Sequence, residues 1–572
     1  MIRGCPISGP WEFGLQSGLM AAILRLTRGV MIAAVLFMTA WVAYVCLRRQ
    51  PDLPTVVINL SFWIVPVCLL LALTGQPWKS FALGTALTFV LQRLHWLKWK
   101  YLSTTWTAAD VRMLFDPANW LVVRLYPYIA GFTIACVTGL ALSWLLVPRR
   151  PRLSGRARLA ALLAALGLIA FDTSWRDHHV FDPFGFNTYG HFANLLFSVS
   201  SMKYRPPVVN GDSRLFRERA RELPARDPVS LPHPPDIVVW LQESTTDPRI
   251  FDLPGATLPA LTMHEPDVRT RESGWLRVHT WGGSTWLSEF ALLTGLPHED
   301  FGTSGVFYTV TPRLRFSLPR LLERYGYRTV VLTAVPKAFY NGETAYRDLG
   351  FSEVLTPLDF PGWGGKPLDK NIITDAELCR YALQVLKRPR EQPIFLYLLS
   401  MIAHGPYDSD HEVGYGLGGN SLTPAAAARL SDWMGRMETL SRETGRLSAE
   451  LLGGSRPVVF AYFGDHQPNL EGPIPHVPGL REPRYLTRYT IKTSDESPAS
   501  GEPPQVLDIS YLGSLLLEHA GLPPDELFAA NDAMRRLCAG RLIDCPDDAL
   551  RQSYRAYLYR DLQAAGDRSD AR

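Results

Sequence analysis

Cysteine is scarce, with 7 among 572 residues, and nowhere does it form a CxxC pair, which argues against a thiolate metal centre. Cys5, Cys46, Cys68 and Cys136 fall in the apolar N-terminal part and Cys379 stands alone, so only Cys538 and Cys545 are spaced to pair in an oxidising compartment. An excess of either charge is equally scarce: with a formal net charge of only +4, nothing argues for a nucleic-acid partner. No small-residue cleavage site follows the first apolar run, so that run is expected to be a retained anchor and not a removed signal. Internal repeats and long low-complexity tracts are absent as well.

Apolar residues are present but unevenly distributed. Gly29 to Leu47, Leu53 to Trp78 and Leu125 to Pro148 carry no formal charge, and each is long enough for a bilayer, which needs about 20 apolar residues. Ser80 to Gln92 and Leu159 to Phe171 are shorter and need flanking residues to complete a span. The expectation is a membrane domain of about five spans. The linker "PRRPRLSGRAR" carries Arg149, Arg150, Arg152, Arg156 and Arg158 and no acid, and arginine-rich short loops stay in the cytoplasm. Everything after Asp172 is therefore expected outside the cytoplasm.

Beyond a polar connector the pattern changes. "DIVVWLQES", "RTVVLTA", "IFLYLLS" and "PVVFAYFGDH" are short continuous apolar runs ending in polar residues, the signature of strands buried on both faces of a parallel sheet. Helical segments such as "SLPRLLERYGY", "TDAELCRYALQVLKR" and "TPAAAARLSDWMGRMETLSRETGRLSAELL" alternate with them. The alternation predicts an α/β domain with its site at the carboxyl ends of the strands.

The residues at those ends carry chemistry. Glu243 follows the first run, Asp465 and His466 follow the last, and Ser284-Thr285 stand beside Gly282 and Gly283. Two carboxylates, an imidazole and a hydroxyl make a hard oxygen/nitrogen set for one divalent ion such as zinc or manganese. Coordination favours the alkoxide of a hydroxyl that is otherwise a poor nucleophile, and the glycines let a phosphate approach the backbone. Read without that context, Asp465-His466 is a hydrogen-bonded loop pair and Ser284-Thr285 a helix cap.

"VVWLQESTTDP", "GGSTWLSEFALLTGLP", "LPRLLERYGYRTVVLTAVPKAFYNGETAYRDLGF", "LYLLSMIAHGPY" and "YFGDHQP" together resemble, in order and spacing, the lipoteichoic acid synthase-like branch of the alkaline phosphatase/sulfatase superfamily. The membrane-part segment "LKWKYLSTTWTAADVRML" is similar to a loop of that branch. The resemblance implies a transmembrane domain over residues 1–172, a juxtamembrane linker over 173–233, a sulfatase-like α/β catalytic domain over 234–525 and a C-terminal extension over 526–572. It implies metal ligands at Glu243, Thr285, Asp465 and His466, with Thr285, four residues before Glu289-Phe290, as the nucleophile. His404 would be a substrate-side histidine, Trp363 a head-group contact and His476 a second phosphate-side histidine. The implied activity is transfer of a phosphoglycerol or phosphoethanolamine head group from phosphatidylglycerol or phosphatidylethanolamine to an envelope glycan or glycolipid acceptor. The enzyme would sit in the inner membrane with its catalytic domain in the periplasm. An extracytoplasmic phosphodiesterase or sulfatase-like hydrolase is the alternative, yet "STWLSEF" lacks the Pro and Arg of the formylglycine context that sulfatases require. A non-catalytic membrane scaffold is the other, and the complete Glu, Thr, Asp, His set argues against it.

Overall fold

The computed structural model describes residues 32–47, 52–102, 152–176, 204–224, 233–302, 305–363, 373–405, 422–470, 472–496 and 505–566, with a few shorter pieces between them. The chain forms two compact units.

In the first unit, α1 (Leu53–Thr74), α2 (Pro77–Leu102) and α3 (Gly155–Arg176) follow the apolar stretches. Asp52 starts α1 by accepting the Thr55 amide at 2.8 Å, Pro54 lies in the first turn, and Gly75 in the left-handed region closes it. Arg158 donates to the Ala72 and Leu73 carbonyls at 2.8 and 2.9 Å, so the start of α3 covers the unsatisfied carbonyls at the end of α1. Among the described residues, two helices, Leu53–Thr74 and Gly155–Trp175, are long and apolar enough to cross a membrane, and Ile32–Leu47 is a shorter apolar helix. The expected span at 80–92 lies inside α2, whose second half carries Arg93, His95, Lys98 and Lys100. Most of the expected span at 125–148, about half of the linker over 173–233 and most of "LKWKYLSTTWTAADVRML" lie outside the described residues.

The second unit is built on an eight-stranded sheet in the order β4-β3-β5-β1-β6-β7-β2-β8. Its strands are β1 (Asp236–Gln242), β2 (Thr270–Arg277), β3 (Arg328–Thr333), β4 (Glu353–Leu355), β5 (Ile394–Ser400), β6 (Val458–Gly464), β7 (Leu486–Thr493) and β8 (Val506–Asp508). The sequence pattern predicts a parallel sheet, but the sheet is mixed: β7 pairs antiparallel with both β6 and β2 and runs against the other strands. The continuous apolar runs form β1, β5 and β6, buried along their whole length. β2 and β7 carry Arg, Glu and Lys between their apolar residues, and β2 is only half-buried over most of its length.

Register positions the site. Gln242 of β1 lies opposite Ser400 of β5 and Gly464 of β6, so three central strands end level and their next residues emerge on one edge. Gly464 is required there, because a Cβ on it would lie 2.0 Å from the Thr245 carbonyl oxygen. α4 (Arg214–Glu222) packs on the C-terminal helices, with Phe216 edge-on to Tyr554 at 5.2 Å between ring centroids. α5 (Thr285–Thr294) follows the glycine turn, α6 (Asp375–Leu386) begins with a Thr374/Glu377 capping box, and α7 (Pro424–Leu452) is capped by Thr423. Cys538 and Cys545, which the spacing left able to pair, form a disulfide.

Candidate active site

Glu243 leaves β1, Asp465 and His466 leave β6, and Thr285 opens α5, so two strand exits and one helix start supply the site. All three ionisable residues are buried, at 1%, 0% and 1% exposure. The loops that carry them are tied together. The Ser244 and His466 amides donate to Asp465 Oδ1 at 2.8 and 2.9 Å, Ser288 Oγ of α5 donates to the Asp465 carbonyl at 2.6 Å, and the Gly282 amide donates to the Gln467 carbonyl at 3.2 Å. Trp433 of α7 donates from its indole to the Ser244 carbonyl at 3.0 Å.

The chain enters α5 through left-handed residues, Gly282 and Ser284, both at φ 67°. Ser284 is not a glycine, and a strained turn of this kind is found where a functional group must be presented. Its side chain makes no cap hydrogen bond, so capping does not explain it. Thr285 is the first helical residue, and its Oγ1 donates to Glu243 Oε2 at 2.6 Å. The amino end of a helix also favours an anion.

The cluster's charge calls for a cation. Burial penalises charge on His466, yet the Asp465 and Glu243 carboxylates push its pKa up to about 9. Burial likewise opposes charge on Glu243, which His466 and His404 nevertheless hold below the usual carboxylate range. Asp465 is driven well above that range by burial and by the Glu243 charge. Groups that recruit protons in this way have a surplus of negative charge that a dication relieves.

The geometry fits one. His466 Nδ1 lies 2.9 Å from the Gln467 carbonyl, which can only accept, so the proton of the neutral ring sits on Nδ1 and the Nε2 lone pair is free. That Nε2 lies 3.1 Å from Glu243 Oε1 and 3.2 Å from Asp465 Oδ2. Ligands at zinc bond lengths lie about 3.3 Å apart around a tetrahedron. Asp465 Oδ2 and His466 Nε2 are buried and form no hydrogen bond, and the ligand atoms of Glu243, Asp465 and His466 all lie within 4.8 Å of one another.

The remaining sequence-derived residues divide. His404 stands at the rim, with Nε2 3.9 Å from Glu243 Oε1, on a turn held by Arg436, which donates to the His404 carbonyl at 2.9 Å. Trp363 lies in the hydrophobic core, 3% exposed and edge-on to Tyr381 at 6.3 Å. His476 is exposed, and its amide donates to the Ile250 carbonyl at 2.7 Å. Two contacts had no sequence signal. Trp286, next to Thr285, stacks on Tyr340 at 4.2 Å. Glu289, one turn beyond Thr285, is buried and accepts from the Tyr346 hydroxyl at 2.7 Å, and burial, reinforced by the Glu243 charge, lifts its pKa to about 7.

The sulfatase family profile matches residues 235–514. An uncharacterized protein of Haemophilus influenzae is 31% identical over 518 residues, which cover 87% of this chain and 93% of that protein. The capsular polysaccharide biosynthesis protein RkpI of Rhizobium meliloti is 28% identical over 358 residues, covering 59% of this chain and 60% of that protein. The solved structure of the Streptococcus pyogenes phosphoglycerol transferase GacH in complex with sn-glycerol-1-phosphate superposes with a TM-score of 0.48 at 19% identity, covering 60% of this chain and 89% of that one.

Proposed function

The chain belongs to the sulfatase family, and on that premise we propose that it is a membrane-anchored, metal-dependent transferase of substituted phosphate groups. It moves a phosphoglycerol or phosphoethanolamine head group from phosphatidylglycerol or phosphatidylethanolamine to an envelope glycan or glycolipid. The observation that carries this reading is the Thr285 hydroxyl, 2.6 Å from Glu243 Oε2 at the mouth of the Glu243, Asp465, His466 cluster. A hydroxyl in that place suits a covalent relay, and as threonine it cannot be converted to the formylglycine aldehyde.

Glu243, Asp465, His466 and Thr285 Oγ1 would hold one divalent ion, zinc or manganese, which when bound lowers the pKa of the hydroxyl and offsets developing phosphoryl charge. Thr285 Oγ1 gives up its proton to solvent and attacks phosphorus. The bond from phosphorus to the diacylglycerol oxygen breaks, and that oxygen takes up a proton, for which His404 is the nearest histidine at the rim. The head-group phosphate then rests on Thr285 as a diester until an acceptor hydroxyl displaces it, giving up its own proton and regenerating the threonine. The amino end of α5 steadies the nonbridging oxygens. The apolar helices α1 and α3 support an anchor that keeps the domain beside its lipid donor and raises the donor's effective concentration. The arginines of 149–158 support an inner-membrane orientation with the catalytic domain in the periplasm.

Incubation of the full-length protein with head-group-labelled phosphatidylglycerol and, separately, phosphatidylethanolamine is expected to transfer one of the two labels to the protein and then to envelope glycan or glycolipid. Release of label only as a free phosphomonoester, with none on protein or acceptor, would establish the hydrolase instead.

A further inference from the structure

A second set of ligating side chains converges away from Thr285, between the exits of β2 and β8 and the turn after α5. His279 stands two residues beyond β2, Asp508 ends β8, and His298 and Glu299 begin the short helix that follows α5. His279 and His298 are buried, at 5% and 8% exposure.

Each ring has one nitrogen to spare. His279 Nε2 lies 3.0 and 3.2 Å from the two Asp508 oxygens, and Asp508 is itself fixed by the Ser510 amide at 3.0 Å. A carboxylate holding one ring nitrogen fixes the tautomer and turns the other nitrogen outward as a ligand. His279 Nδ1 is turned toward Glu299 Oε2 at 3.4 Å, and His298 Nδ1 approaches the same oxygen at 3.2 Å. Both Nδ1 atoms are buried, and neither makes a hydrogen bond. Here two buried nitrogens without a hydrogen bond and a carboxylate oxygen lie within 4.8 Å of one another. The two nitrogen-to-oxygen spacings are close to the edge of about 3.3 Å expected around tetrahedral zinc.

We propose that His279 Nδ1, His298 Nδ1 and Glu299 Oε2 bind a second divalent ion of the zinc class, with Asp508 as the positioning residue behind His279. Two imidazoles and one carboxylate form a borderline donor set suited to zinc. The Glu299 side chain is 44% exposed, so water completes the coordination from that side. The consequence is mechanical. His279 precedes Thr285 by six residues and His298 follows the end of α5 by four, so the ion pins both ends of the segment that presents the nucleophile. It takes no part in the reaction at Thr285.

The test is metal stoichiometry on the full-length protein in detergent, stripped by chelator and titrated with zinc. Wild type is expected to bind two equivalents, and Asp465→Asn/His466→Asn to keep one. Adding His298→Gln and Glu299→Gln to that variant should remove the last. Cobalt(II) in the Asp465→Asn/His466→Asn protein should give a visible ligand-field spectrum that disappears with His298→Gln. If the combined variants fail to fold, Glu299→Gln alone, altered at a partly exposed carboxylate, should weaken the second equivalent by at least about tenfold and leave the first unchanged. Wild type saturating at one equivalent would overturn the proposal, as would a second equivalent indifferent to His298 and Glu299.

Discussion

Thr285→Ala is expected to abolish head-group transfer, by at least about 10⁴-fold in kcat, in protein that remains folded and retains metal. The substitution removes the only atom that the covalent relay uses for attack and leaves Glu243, Asp465 and His466 in place. A structural role cannot produce the same result. Thr285 is the first residue of α5, and the loss of a helix-end contact costs about 1 kcal/mol, which lowers stability slightly but does not erase catalysis in folded protein. Ser284→Ala should be mild, since the Ser284 side chain makes no cap bond. Thr285→Ser keeps the hydroxyl that donates to Glu243 and loses one methyl group, so it should retain part of the activity. Mass spectrometry of wild-type enzyme given phospholipid and no acceptor should find the head-group phosphate on the peptide from Val278 to Phe290, at Thr285. An active Thr285→Ala enzyme, or label mapped to Ser284, would refute the assignment.

Gly464→Ala should cost about 3 kcal/mol, the upper end of what overpacking a rigid site costs, and should release the metal of the Thr285 centre as well. A methyl group there would meet the Thr245 carbonyl oxygen at 2.0 Å. That oxygen is backbone, in the loop that carries Glu243, so no side-chain rotation relieves the clash. The exits of β1 and β6 must part, separating Glu243 from Asp465 and His466. The control is Gly445→Ala within α7, where an added Cβ meets nothing within 4 Å and helix propensity predicts a gain of about 0.5–1 kcal/mol. Chemical denaturation followed by near-UV circular dichroism, together with elemental analysis, checks both. A Gly464→Ala protein with wild-type midpoint and metal content would mean that the two exits are not held at van der Waals contact.

The sequence by itself determined the central strands, because β1, β3, β5 and β6 are buried along nearly their whole length and continuous burial demands continuous apolar runs. It also determined the candidate ligands Glu243, Asp465 and His466, since each directly follows such a run, and the helices Asp375–Leu386 and Pro424–Leu452, which announce themselves through threonine caps and apolar faces. The tertiary structure alone decided β2 and β7, whose Arg, Glu and Lys residues interrupt any simple alternation and which pair with each other across more than 200 residues, as in Trp275 opposite Arg488. It also decided that the Trp363 ring is packed in the core against Tyr381, which the residue type leaves open. The second histidine cluster was illegible for the same reason. His279 and His298 follow no ligand spacing, and Asp508 lies 229 residues from the imidazole it holds. Local sequence records what a segment must bury, but which distant polar atoms meet at the end of a sheet is settled by strand order and register, and these exist only once the chain has folded.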